Sequence, residues 1–242
     1  MLSKQAEILG VNVNSLTMRQ AVEAVQQFIA EKRTALVATA NAEMLMRATA
    51  DEELKDILNQ ADLVVPDGAG TVWAANYLGT PMPERVAGYD LAQELMRDAP
   101  AKGHKIYFFG SAPGVADKAR EKAFELYPGI QIVGTRNGYF TEADEPEIIA
   151  EIKAASPDIL LAALGVPKQE KWLKKHLHEL QVPVSIGVGG TLDVMAGVMQ
   201  RAPLWMQKAK LEWLFRALKQ PSRAGRLLAL PKFVCRVIAS KE

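Results

Sequence analysis

The chain has 242 residues, 49% hydrophobic and 24% charged, with a net charge of +1; this is the make-up of an ordinary globular protein, large enough for one α/β domain with an appendage. Its single cysteine, Cys235, excludes a disulfide framework. No run approaches the ~20 apolar residues of a membrane-spanning helix, and the first residues lack the apolar core of a signal peptide, so a cytoplasmic protein is expected.

In chain order, Ile8–Val13 reads as a short strand, and Asn14 to Thr17 offers a helix start. Ala21, Val22, Val25, Phe28 and Ile29 then recur at helical spacing. Leu36–Asn41 is a buried strand, followed by a helical stretch through Gln60. Leu63-Val-Val-Pro-Asp-Gly-Ala-Gly70 is an apolar run stopped by turn residues, as a buried parallel strand requires. Residues 81–90 form a loop leading into a helix over Leu91–Ala99. Lys105–Gly110 is the next strand, with a glycine turn before a helix over Val115–Tyr127. That turn lacks both the G-x-G-x-x-G pattern and a Walker lysine. Ile130–Gly134 is a strand and Thr135–Phe140 a loop. Asp158–Gly165 is a strand entering a helix that ends near Leu180, with Pro167 well placed at its first position. Val184–Gly190 is the last strand, and Thr191 opens another helix. Strands alternating with helices over about 190 residues predict an α/β fold, a doubly wound, Rossmann-like parallel sheet.

Polar residues sit at the strand ends, where open α/β sheets bind ligands. Asp67 falls at a strand-to-helix turn, either as a site carboxylate or as a helix cap. Thr39 and Asn41 end the preceding strand and carry the same pair of readings. Arg85 is able to clamp a phosphate with its planar fork, or to pair with Glu84 or Asp90. Lys168 and Gln169 flank a helix start that suits an anion. Tyr139 is a loop aromatic, either stacking on a base or part of the core. His176 and His178 are two apart on a helix and do not suit one metal.

The net charge hides an asymmetry. Residues 201–242 hold ten Lys/Arg and two Glu, a net +8, which leaves −7 on residues 1–200. A division at that point is expected: a core over 1–200 and a C-terminal basic amphipathic helical appendage over 201–242. The tail mixes its cations with Trp205, Trp213, Phe215, Leu227, Leu228, Leu230, Phe233, Val234, Val237 and Ile238. That pattern suits a segment lying in a membrane interface. Pro221 and Pro231 predict short helices joined by bends rather than one rod. A nucleotide-dependent oxidoreductase and a non-catalytic binding module for anionic lipid or nucleic acid are the alternatives on composition alone.

Seven ordered motifs narrow this: Thr-Ala-Asn-Ala-Glu (39–43), Pro-Asp-Gly-Ala-Gly (66–70), Glu-Arg-Val-Ala-Gly-Tyr-Asp (84–90), Gly-Val-Pro-Lys-Gln-Glu (165–170), Val-Gly-Gly-Thr-Leu-Asp (188–193), Arg-Ala-Pro (201–203) and Leu-Glu-Trp-Leu-Phe-Arg (211–216). Together they resemble the WecG/TagA/CpsF glycosyltransferase family over nearly the whole chain. Three positions depart from its usual pattern: Ala40 for leucine, Ser111 for a second glycine, and Leu192 for phenylalanine.

The resemblance implies an inverting transfer of N-acetylmannosamine from a UDP-sugar to polyprenyl-diphosphate-linked N-acetylglucosamine, as in wall teichoic acid synthesis. The other branch of the family implies N-acetylmannosaminuronic acid as the sugar. It implies Asp67 as general base, with Thr39, Asn41, Arg85 and Gln169 orienting sugar and diphosphate. Tyr139 and Asp193 would lie near the nucleoside, and a tail arginine, among Arg216, Arg223 and Arg226, would reach the diphosphates. No metal or other cofactor is expected. The implied partners are the UDP-sugar, the lipid-linked acceptor and the anionic inner face of the cell membrane, not nucleic acid; a homo-oligomer is left open.

Overall fold

A computed structural model describes residues 4–209, 212, 214, 215 and 229–241. Its centre is a six-stranded, wholly parallel sheet. A hairpin of β1 (Gln5–Ile8) and β2 (Val11–Asn14) precedes it. The sheet strands are β3 (Ala35–Ala40), β4 (Leu63–Pro66), β5 (Lys105–Gly110), β6 (Gln131–Arg136), β7 (Ile159–Ala163) and β8 (Val184–Gly187), in the spatial order β4-β3-β8-β7-β5-β6. The chain leaves β3 toward one edge and then crosses to build the other half before returning inward to β8. The crevice beyond the carboxyl ends of β3 and β8 is therefore the place where a doubly wound sheet takes a ligand.

Strand side chains alternate between two apolar layers, as the pleat dictates. Val37, Ile106, Phe108, Leu161 and Ile186 point to one side, against α1 (Met18–Ala30), α5 (Gly88–Lys102), α6 (Val115–Leu126) and α9 (Thr191–Met195). Leu36, Tyr107, Phe109 and Leu160 point to the other, against α7 (Glu145–Ala155) and α8 (Lys168–Leu180). On that second side, Ala38, Ala40 and Val64 pack with the hairpin, α2 (Ala42–Ala48), α3 (Glu52–Asn59), α4 (Ala69–Tyr77) and the C-terminal helix, Ala229–Ala239. Both faces are buried, which is why the strands read as unbroken apolar runs. A short helix, α10 (Leu204–Lys208), lies between α9 and the C-terminal helix in sequence.

The expected doubly wound fold is present, with local corrections. Ile8–Val13 is not one strand but a turn flanked by two, because Leu9 (φ 52°) and Gly10 (φ 81°) both adopt the left-handed region of a tight hairpin. The helix expected through Gln60 is two helices, the second capped afresh by Asp51. Pro167 is the N-cap residue of α8, after a cis Val166–Pro167 bond, rather than its first helical residue. Helix α7 was not expected at all. It follows a reciprocal Thr141–Asp144 capping box and carries Pro146 in its first turn, and Ile148, Ile149 and Ile152 bury against the sheet.

The tail differs most from expectation. Ala202 and Met206 are buried, and so are Phe233 and Val237 on one stripe of the C-terminal helix. Those last two belong to the core layer with α2 and α4, not to a free membrane face. Val234 and Ile238, one position further round, stay exposed. Pro231 sits in the first turn of that helix and ends nothing. Residues 216–228, including Pro221 and the aligned cations Arg216, Lys219, Arg223 and Arg226, lie outside the described residues.

Candidate active site

Because all six strands are parallel, their carboxyl ends share one edge, and the singled-out residues gather along it. At the β4 end, Pro66 lies beside Ala40 in register, and the Asp67 N–H donates to the Ala40 carbonyl at 3.0 Å. The Thr71 hydroxyl donates back to the carbonyls of Ala40 (3.0 Å) and Asp67 (3.1 Å) and locks the turn. Gly68 takes φ 89°, a value that strains any side-chain-bearing residue, and it is Gly68 that occupies the N-cap of α4. The N-cap residue of α4 is thus Gly68 and not Asp67.

Arg85 is brought to the same turn by the backbone. The Val86 N–H donates to the Pro66 carbonyl at 3.0 Å, so the 78–87 loop runs alongside the residue preceding Asp67. The same stretch is also held by Glu84, whose carboxylate accepts the Met18 N–H. The Arg85 guanidinium meets Glu212 at 3.1 Å and Asp90 at 3.4 Å. Asp90 in turn receives a two-pronged contact from Arg201, at 2.6 and 2.8 Å, and Arg201 lies 3.8 Å from Glu212 and 4.6 Å over the Tyr89 ring. Three of the seven motifs thus converge on one quartet of two arginines and two carboxylates. The pairing of Arg85 with Asp90 is one that the sequence offered; Arg201 and Glu212 were not singled out from sequence, although each lies within a motif.

Thr39, Asn41 and Gln169 have structural partners. The Thr39 hydroxyl is buried and donates to the Gly187 carbonyl at 2.9 Å, which ties β3 to β8 beyond their ladder. Asn41 caps α2, its Oδ1 accepting the Met44 N–H at 3.0 Å. Its Cβ lies 3.8 Å from where a side chain at Gly68 would begin, so its amide flanks the Asp67 turn. Gln169 is buried, and its Oε1 accepts the N–H of Gly165 (3.2 Å) and of Gly189 (3.1 Å). It clamps together the loops after β7 and β8. Its side chain is thus turned into the protein and holds those loops in place.

The Gln169 amide is oriented by Glu170, which accepts its Nε2–H at 2.7 Å. Burial pushes the Glu170 carboxyl up to about 7, against that hydrogen bond, which acts the other way. Its Oε2 has no hydrogen-bond partner among the described residues. A carboxyl with a raised folded-state pKa binds more protons folded than unfolded between its ordinary 4.5 and about 7. Stability is therefore expected to fall as pH rises through that window, with roughly 3 kcal/mol lost above it. Glu170→Gln is expected to flatten this loss and to melt several degrees above wild type at pH 8, with little difference at pH 5. Thermal unfolding of both proteins across that range checks it; a Glu170→Gln variant whose pH dependence matches that of the wild type overturns it.

The remaining pair lies on the β5–β6 side of the edge. Asp193, in the first turn of α9, accepts the Ser111 hydroxyl at 3.0 Å. Ser111 has φ 58°, which gives a reason for the glycine usual there, and its side-chain bond compensates for the strain. The Gly138 N–H donates to the Ser111 carbonyl at 2.8 Å, which fixes the loop carrying Tyr139. Tyr139 itself is 75% exposed, so it is not core. Lys168 bonds the Gly138 carbonyl at 3.2 Å and lies 4.0 Å over the Phe140 ring. The edge thus presents an acidic turn with an arginine at one end and an exposed aromatic with a carboxylate at the other. Arg216, Arg223 and Arg226 lie outside the described residues.

Residues 6–242 match the glycosyl transferase WecG/TagA/CpsF family. A Bacillus spizizenii relative is 35% identical over 211 residues, covering 87% of this chain and 81% of its own. A Staphylococcus aureus relative is 34% identical over 240 residues, covering 98% of this chain and 94% of its own. Both carry the name N-acetylglucosaminyldiphosphoundecaprenol N-acetyl-beta-D-mannosaminyltransferase.

Proposed function

Since the chain belongs to the WecG/TagA/CpsF family of glycosyltransferases, we propose that it moves N-acetylmannosamine from UDP-N-acetylmannosamine to polyprenyl-diphosphate-linked N-acetylglucosamine. The product is the β-1,4-linked lipid disaccharide from which wall teichoic acid or a related surface polymer grows. The observation that carries this reading is the Asp67 turn. The Asp67 carboxylate stands at the carboxyl edge of the sheet, in the turn that follows β4, with Arg85 held beside it by the Val86–Pro66 bond.

In the reaction, the acceptor hydroxyl oxygen attacks the anomeric carbon as the bond from that carbon to the UDP oxygen breaks. The hydroxyl proton passes to the Asp67 carboxylate, and UDP leaves with the bonding pair. Attack opposite the leaving group inverts the anomeric centre. Arg85 supplies a forked cation for the diphosphate, and the amide of Asn41, beside the turn, offers a polar group for the sugar. Tyr139 offers an exposed ring for the base, with Asp193 beside that loop. Gln169 acts through the loops that it clamps.

We further propose that no metal takes part. The Arg85 guanidinium would carry the diphosphate charge in a metal's place. Arg85→Ala is expected to weaken UDP binding about tenfold or more, as loss of a charge-assisted contact does, and EDTA to leave wild-type turnover unchanged. Loss of activity on chelation, restored by Mg²⁺ or Mn²⁺, overturns the metal-free reading.

The protein is placed at the inner membrane face in this reading, where such an acceptor resides. No helix of the described residues is long and apolar enough to cross a membrane. Leu204 and Trp205 are exposed, next to the basic tail. Salt-sensitive sedimentation with anionic vesicles checks the placement. The decisive experiment is a transfer assay on a short-chain lipid acceptor, with UDP-N-acetylmannosamine and its uronic acid compared as donors. A β-linked disaccharide from the first donor is expected; product from the uronic acid alone transfers the reading to the other branch.

A further inference from the structure

We infer that Arg201 is the charge-balancing residue of the diphosphate subsite: by occupying both oxygens of Asp90 it keeps Arg85 from being neutralised, and so leaves Arg85 able to take an anionic ligand. The inference rests on the reading above that Arg85 meets the UDP diphosphate.

Two arginines and two carboxylates form the quartet, and the geometry divides them unequally. Arg201 takes Asp90 with two prongs at 2.6 and 2.8 Å, the arrangement that matches guanidinium to carboxylate best. Arg85 reaches the same carboxylate with one contact at 3.4 Å. Its closer partner is Glu212, at 3.1 Å, and there too Arg201 stands by, at 3.8 Å. Stacking over Tyr89 at 4.6 Å holds the Arg201 plane in position, and its side chain is only 20% exposed. With Arg201 present, the four side chains sum to zero. Without it, Arg85 would face two carboxylates alone, collapse into the Asp90 fork and leave a net charge of −1. A nucleoside diphosphate would then meet repulsion where it now meets a cation whose carboxylate partners are shared with Arg201.

This differs from a purely structural role for the pair. An anchor between α5 and residue 201 is lost whichever partner is replaced, so replacing both cannot restore it. A charge balance is restored when a carboxylate is removed along with the cation. The measurement is the affinity of the full-length protein for UDP alone, by calorimetry, with thermal unfolding in parallel. Arg201→Gln is expected to weaken UDP about tenfold, as one uncompensated charge at a half-buried site implies. Adding Asp90→Asn to that variant is expected to bring UDP affinity back to within about twofold of wild type. Asp90→Asn alone is expected to tighten UDP severalfold, a direction that the loss of an anchor does not produce, and this variant carries the test if Arg201→Gln does not fold. Arg85→Ala separates the two layers. If it weakens UDP while the double variant stays as weak as Arg201→Gln, or Asp90→Asn alone weakens binding, the charge-balance inference is overturned and the diphosphate reading stands. If Arg85→Ala leaves UDP affinity untouched, the diphosphate reading fails and this inference goes with it.

Discussion

Asp67→Asn is expected to fold and melt like the wild type and to turn over about 10²–10⁴-fold more slowly, the range for removing a positioned general base. The fold is expected to survive because the turn keeps its bonds to the Asp67 main chain. The Asp67 N–H bonds Ala40, and the Asp67 carbonyl accepts from Thr71; both persist with an amide side chain. The cap position belongs to Gly68, so the substitution removes no cap. Asparagine has nearly the shape of aspartate but no carboxylate to receive the acceptor proton. UDP is an anion, and a nearby negative charge does not help to bind it. The loss should therefore appear in kcat, with UDP affinity held or slightly improved. A single-turnover assay beside calorimetric UDP binding separates the two. If the variant transfers sugar at near the wild-type rate, the base lies elsewhere along the edge.

What was legible in the sequence follows from the range of the interactions involved. Strands β3, β4, β5, β7 and β8 stand out because both faces are buried and the apolar run is unbroken. The hairpin was hidden because Leu9 takes a left-handed conformation more usual for asparagine or glycine. Helix α7 has a local signature, the Thr141–Asp144 box and three isoleucines at helical spacing. The strand-end polar residues were ambiguous for a physical reason. A cap such as Asn41 is decided by a neighbour three residues away, whereas the bond from Thr39 to Gly187 spans 148 residues. The quartet is further still from local reasoning, since Arg201 and Asp90 are 111 residues apart. An ordered set of motifs marked these residues as belonging together, and only the fold showed which of them touch. The charge asymmetry of the tail was legible, but a buried and an interfacial apolar stripe look alike in sequence.

That last ambiguity sets the second large effect. Phe233→Ala is expected to destabilise the protein by about 3–5 kcal/mol, the usual result of truncating a fully buried phenylalanine. Phe233 is 0% exposed, and its ring edge lies 3.7 Å from where a side chain on Gly70 would begin. That site is also 3.1 Å from the Ala42 Cβ, so a side chain at Gly70 would crowd the place where α2, α4 and the C-terminal helix meet. Val237, four residues on, continues the buried stripe, and Lys241 closes the end by donating to the Tyr77 carbonyl at 2.8 Å. The helix from the far end of the chain thus braces α4, whose first turn follows Asp67 directly. Deleting residues 204–242 is accordingly expected to lower the melting temperature, by uncovering this apolar face, rather than to leave an unperturbed core. Membrane attachment is better probed at Val234 and Ile238, which are 36% and 42% exposed on the same helix. Serine at those two positions is expected to change stability by only about 0.5 kcal/mol each. Denaturant unfolding of Phe233→Ala and of the Val234/Ile238 serine pair makes the comparison. Should Phe233→Ala cost less than about 1 kcal/mol, the helix is not docked on α4 in solution, and its apolar stripe becomes available to a membrane after all.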